Sequence, residues 1–109
     1  MVAEATATHL QHVRVAEYGC GAIWHLCDGN AQNKAELAGR LGACALVLEA
    51  LRTHLRASYQ LTQNALGAIA YLAEEYGANK VMLGSLGACE IIVEAIEEHP
   101  DNVKVGAGY

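Results

Sequence analysis

Hydrophobic positions recur at helical spacing along most of the chain. Between Arg56 and Tyr76, Leu61, Ala65, Ala68 and Leu72 fall at i, i+4, i+7 and i+11, one stripe of an amphipathic helix. Leu66, Ile69 and Ala73 widen that stripe, so this helix is expected to pack over much of its circumference. Val15, Cys20, Ile23, Leu26 and Cys27 hold matching places in a helix near residues 10–28. Shorter helices are predicted from about Ala31 to Arg40 and from about Asn79 to Gly84. Leu41-Gly42 and Leu86-Gly87 then interrupt the pattern, glycine supplying the positive φ or close approach that a corner needs. Further helices run from about Ala43 to Leu55 and from about Ala88 to His99, with Pro100 closing the second. The apolar set Leu46, Val47, Leu48, Ala50 and Leu51 covers several faces, and Ile91, Ile92, Val93, Ala95 and Ile96 repeat it. A helix apolar on several sides is sandwiched between neighbours. The predicted fold is all-α.

The elements repeat. Residues 33–44 read NKAELAGRLGAC, and residues 79–89 read NKVMLGSLGAC, one residue shorter. Gly21-Ala22-Ile23 and Leu26 return 46 positions later as Gly67-Ala68-Ile69 and Leu72. Past the gap the offset is 45, with Glu49-Ala50 returning as Glu94-Ala95, and His9, His54 and His99 share that spacing. A period near 45 lies in the range of helical repeats built from two or three helices.

Three helices per period with a Leu-Gly-Ala corner resemble the armadillo repeat. NKAELAGRLGAC followed by VLEAL and YQLTQNALGAIAYLA carries the likeness, and NKVMLGSLGACEIIVEAI is the second copy. The resemblance implies a right-handed armadillo-like superhelix of about two and a half repeats. Residues 1–8 form an N-terminal segment, 9–28 a lone third helix, 30–76 a full repeat and 77–109 an incomplete one. It implies a binding scaffold rather than an enzyme, with third helices lining a concave groove that grips a protein or an extended peptide. Unfinished ends without polar caps point to self-association, a homodimer or higher homo-oligomer, and a two-fold dimer is the favoured form. The alternative is a self-assembling structural fragment without a peptide ligand.

Composition narrows the partner. With 7 basic against 12 acidic residues, the net charge of −5 argues against nucleic acid. No apolar run is long enough for a membrane span, and the start MVAEATATHLQHV is no secretory signal. Cytoplasm is the expected address, with nuclear entry left open. Hydrophobic residues make up 53% but aromatics only 6%, so the core must be aliphatic.

Many armadillo proteins clamp a peptide backbone with a Trp and an Asn on the third helix. Here Gly21 and Gly67 fall at the Trp position, and His25 and Tyr71 at the Asn position, so that clamp is absent. The groove would instead present Glu17, Gly21, His25 and Asp28 from one helix and Gln63, Gly67, Tyr71 and Glu74 from the next. Solvated surface positions are the plainer reading of the same residues. Trp24 reads as half-buried packing or as an anchor for self-association, together with Val103 and Val105 at the far end. Gly21 and Gly67 are expected to permit close approach of stacked helices. Cys44 and Cys89 sit in equivalent corners, as small buried residues would. Arg40, Arg52 and Arg56 on one unit and Glu90, Glu94, Glu97, Glu98 and Asp101 on the next read as solvated faces, or as complementary ends for stacking. There is no nucleophile–base pair, metal-ligand spacing or phosphate loop, so neither a catalytic residue nor a cofactor or metal is expected.

Overall fold

The computed structural model describes residues 12–99. These form six helices: α1 (Val13–Cys27), α2 (Ala31–Gly39), α3 (Ala43–His54), α4 (Tyr59–Ala73), α5 (Gly77–Ser85) and α6 (Ala88–Glu98). The all-helical class is therefore as expected. Helix α5 starts at Gly77, two residues before the expected start at about Asn79, with Tyr76 as its N-cap.

The repeat in sequence is a repeat in structure. Helices α1 and α2 return 46 positions later as α4 and α5, at identical lengths. The missing residue is lost from the corner, where Arg40-Leu41 is matched by Leu86 alone. Both corners end on a glycine N-cap in the left-handed region, Gly42 at φ 69° and Gly87 at φ 91°. At α2 and α4 a side chain caps the helix start. Asn30 Oδ1 accepts from the Asn33 amide at 2.9 Å, and Ser58 Oγ accepts from the Leu61 amide at 3.0 Å.

Two side-chain amides, Asn33 half-buried and Asn79 buried, tie successive units together. Asn33 Nδ2 donates to the Leu26 carbonyl and Asn79 Nδ2 to the Leu72 carbonyl, each at 2.8 Å. Each bond joins the first helix of a unit to the last turn of the long helix before it, satisfying a carbonyl that the helix end leaves without an intrahelical donor. Helix α4 packs along α1 and against α3, and α3 meets α6. One cluster of buried side chains runs through them, centred on Ile23, Cys44, Val47, Leu48, Leu51, Leu61 and Leu72.

Equivalent positions are not equally buried. Val47, Leu48 and Leu51 of α3 are sealed, whereas Ile92 and Ile96 of α6 are half-buried and Val93 is exposed. Cys44 is fully buried, but Cys89 is exposed, which corrects the expectation of two buried thiols. The cause is neighbourhood. Helix α3 lies between α1, α2 and α4, while α6 packs chiefly on α5 and α3.

Some of the charged side chains pair within the chain while remaining solvent-exposed. Arg56 Nη2 meets Glu94 Oε2 at 2.9 Å and its Nε lies 3.6 Å from Glu98 Oε2, while Arg52 donates to the Leu86 carbonyl. The basic and acidic faces thus engage each other inside one chain, from unit to unit. Arg40 pairs locally with Glu36 at 2.7 Å. Among the described residues no helix is long and apolar enough to cross a membrane.

Candidate protein-binding groove

Helices α1 and α4 lie side by side and run in the same direction, since Glu17 meets Asn64 while Trp24 meets Gly67 and Tyr71. The polar contact comes first along their length. Asn64 Nδ2 donates to the Glu17 carbonyl at 2.9 Å, and Ser58 Oγ donates to Glu17 Oε2. Glu17 is thereby held by two side chains of the neighbouring element. Gly21 leaves room for the same Asn64 amide, whose Nδ2 would stand 3.3 Å from a Cβ at residue 21.

The aromatic contact follows one turn later. The Trp24 ring rests on Gly67, close enough that a Cβ there would lie 2.5 Å from Cε3. Tyr71 flanks the indole at 5.8 Å between ring centroids with a 45° tilt, and His25 stacks at 5.7 Å with planes 4° apart. These distances fall in the range of favourable aromatic pairing. His25 is exposed while Trp24 and Tyr71 are half-buried, so the cluster offers both an apolar body and a polar edge.

Six of the sequence-nominated residues therefore come together: Glu17, Gly21, Trp24, His25, Gly67 and Tyr71. Gln63 is half-buried on α4, and Asp28 and Glu74 stand exposed as the C-caps of α1 and α4. Glu74 is engaged within the chain. Lys34 Nζ donates to its carbonyl at 2.9 Å and lies 3.7 Å from Oε1. Val103 and Val105 lie outside the described residues. Sequence reasoning missed Asn64 and Lys34. Asn64 follows Gln63 directly and faces the neighbouring helix, while Lys34 shares a matched Asn-Lys pair with Lys80 but only Lys34 is buried.

The thiols behind this face are held protonated. Burial pushes Cys20 up to about 12, and burial together with the neighbouring Cys27 pushes Cys44 up to about 11. Burial raises Cys27 too, with Lys34 pulling the other way. Buried thiols in such surroundings are inert packing groups. Among the described residues no three His, Cys, Asp or Glu side chains gather where they could hold a metal ion. No protein-family model, no curated protein and no solved structure matches the chain.

Proposed function

We propose that the chain is a non-catalytic protein-interaction module of armadillo-like right-handed superhelical form, binding an extended peptide or protein segment across α1 and α4. The observation that carries this reading is the Trp24–His25–Tyr71 cluster seated on Gly67, with the exposed Asp28 at the end of the same helix α1. Aromatic side chains with one exposed polar edge supply large contact area at small conformational cost. The exposed Asp28 and the net charge of −5 favour a segment that carries Lys or Arg next to an apolar side chain, through cation–π contact and charge attraction.

Trp24 is the chain's one tryptophan and sits in this cluster, so its emission is a direct reporter. Titration with extended peptides alternating Lys or Arg with Leu or Tyr is expected to give a saturable change in Trp24 fluorescence. Tyr71→Ala and His25→Ala should each weaken it, and Glu-rich peptides should leave it unchanged. A response that is absent, or the same for acidic and basic peptides, rejects the groove reading.

A further inference from the structure

The fold carries one long-helix face in two environments. On α4 the stripe Leu61, Ala65, Ala68 and Leu72 is completely buried. On α1 the equivalent stripe is Val15, Gly19, Ala22 and Leu26, and here Val15 is 37% and Leu26 44% exposed. The two helices differ in their neighbours, α4 packing on α3 far more extensively than α1 does. Among the described residues α1 has no helix in that place.

The same asymmetry appears in reverse at the other flank. Cys44, Val47, Leu48 and Leu51 of α3 are buried, while their equivalents Cys89, Ile92, Val93 and Ile96 on α6 are half-buried or exposed, Val93 at 55%. Among the described residues helix α6 is thus an α3 without its α4, and α1 is an α4 without its α3. The two open faces are the two halves of an interface that the chain already contains once.

A charge pair has the same relationship. In the closed unit Lys34 is buried, donating to the Glu74 carbonyl beside that residue's carboxylate. The residue equivalent to Lys34 is Lys80, which is exposed, and the residue equivalent to Glu74 is Asp28, also exposed at the end of α1. An α1 seated on α5 and α6 as α4 is seated on α2 and α3 brings Asp28 to Lys80, opposite in charge as in the internal pair.

We propose that the occupant is a second copy of this chain, with α1 of one copy docking on α5 and α6 of the next in the manner of the internal α3–α4 contact. The contact is head-to-tail, and so replaces the two-fold dimer favoured from sequence. Each copy uses its α1 face in one contact and its α6 face in another, a heterologous interface. The internal contact serves as its template, and the Lys80–Asp28 pair fixes its register. It does not depend on a ligand in the groove.

The test uses the full 109-residue chain. Sedimentation equilibrium of the wild type should show a mass that rises with concentration. Because Cys20, Cys27 and Cys44 are buried, the exposed Cys89 is the thiol that reports on coverage, and its reactivity toward an aromatic disulfide reagent should fall as mass rises. Val15→Glu and Val93→Glu place a charge on one face each, at positions already exposed. Each should shift the association midpoint upward by about tenfold or more, since an unpaired carboxylate is costly to bury. Circular dichroism should show both variants fully helical.

The deciding experiment mixes them. The Val15→Glu chain retains an intact α6 face and the Val93→Glu chain an intact α1 face, so an equimolar mixture should form dimers of one of each and stop there. Lys80→Glu should weaken wild-type assembly, and Asp28→Lys in the same chain should restore it. A chain that stays monomeric at millimolar concentration overturns the proposal. So does association abolished by Val15→Glu yet untouched by Val93→Glu, which marks a two-fold α1–α1 contact, or a variant mixture that remains monomeric.

Discussion

Trp24 and Gly67 share one volume. The indole occupies the space where any larger residue at 67 would put its Cβ, which would stand 2.5 Å from Cε3 and 2.7 Å from Cδ2 and Cζ3. In an ordinary helix interior, Gly→Ala is worth about 1 kcal/mol in favour of alanine. Here overpacking opposes it, at about 1–3 kcal/mol. The obstacle is a ring already held by Tyr71 and His25, so overpacking should win. Gly67→Ala is expected to lower stability by up to about 2 kcal/mol in urea unfolding and to shift Trp24 emission. In a Trp24→Ala background the same substitution should become stabilising. If the two effects simply add, the close approach is not what constrains Gly67.

The amide of Asn79 carries more than its surface reading suggests. Its residue is buried, and its Nδ2 donates to the Leu72 carbonyl at a helix end. Asn79→Ala strips that carbonyl of its partner where water has poor access, for an expected loss of about 1–3 kcal/mol. Asn33 makes the same bond to Leu26, but in a more open setting with both groups closer to solvent. Asn33→Ala should therefore cost clearly less, as water replaces the lost donor. Equal losses measured for the two variants would show that burial does not govern the difference.

Much of the architecture was written in the spacing of residues, and the reasons are local. Gly42 and Gly87 were legible as corners because a positive φ excludes most other residues, and both adopt it. Gly21 and Gly67 were legible as points of close approach, though not which side chain approaches. The Asn33–Leu26 and Asn79–Leu72 bonds hid in plain view, as an Asn seven residues after a Leu in both units. Burial could not be read. Cys44 and Cys89 have near-identical local sequences, and only their neighbouring helices make one inert and the other exposed. The gathering of Trp24, His25 and Tyr71 likewise depends on how α1 lies along α4. Periodicity gave the faces of those helices, but their relative register needed the packed structure.

Glu75 occupies a glycine's place. Its φ is 55°, and the equivalent residue one unit earlier is Gly29 at φ 67°. A side chain in the left-handed region costs about 1–2 kcal/mol, part of which glycine's greater freedom in the unfolded chain offsets. Glu75→Gly is expected to raise stability by about 0.5–1 kcal/mol, and Gly29→Ala should lower it by a similar amount. Space is not the issue at residue 29, where a Cβ would meet nothing within 4 Å. Thermal unfolding of the two variants should thus move in opposite directions, and a shared direction would remove backbone strain as the cause.

The buried thiols set an alkaline limit on stability. An ordinary thiol ionises near 9.0, the value expected for Cys20 and Cys44 in the unfolded chain, whereas burial moves them to about 12 and about 11 in the folded one. Below pH 9 both states hold these protons and the thiols leave stability flat. Between pH 9 and 11–12 the unfolded chain loses protons that the folded chain keeps, so unfolding is favoured as pH rises. The informative quantity is a difference between two proteins that share every other group. Wild type minus Cys20→Ala/Cys44→Ala should give a stability difference that is constant from pH 6 to about 8.5 and then turns against the wild type. Native thiol counting at pH 8 should find Cys89 reactive and Cys20, Cys27 and Cys44 protected until denaturant is added. Parallel stability curves for the two proteins up to pH 11 would show that ionisation of these thiols is not linked to unfolding.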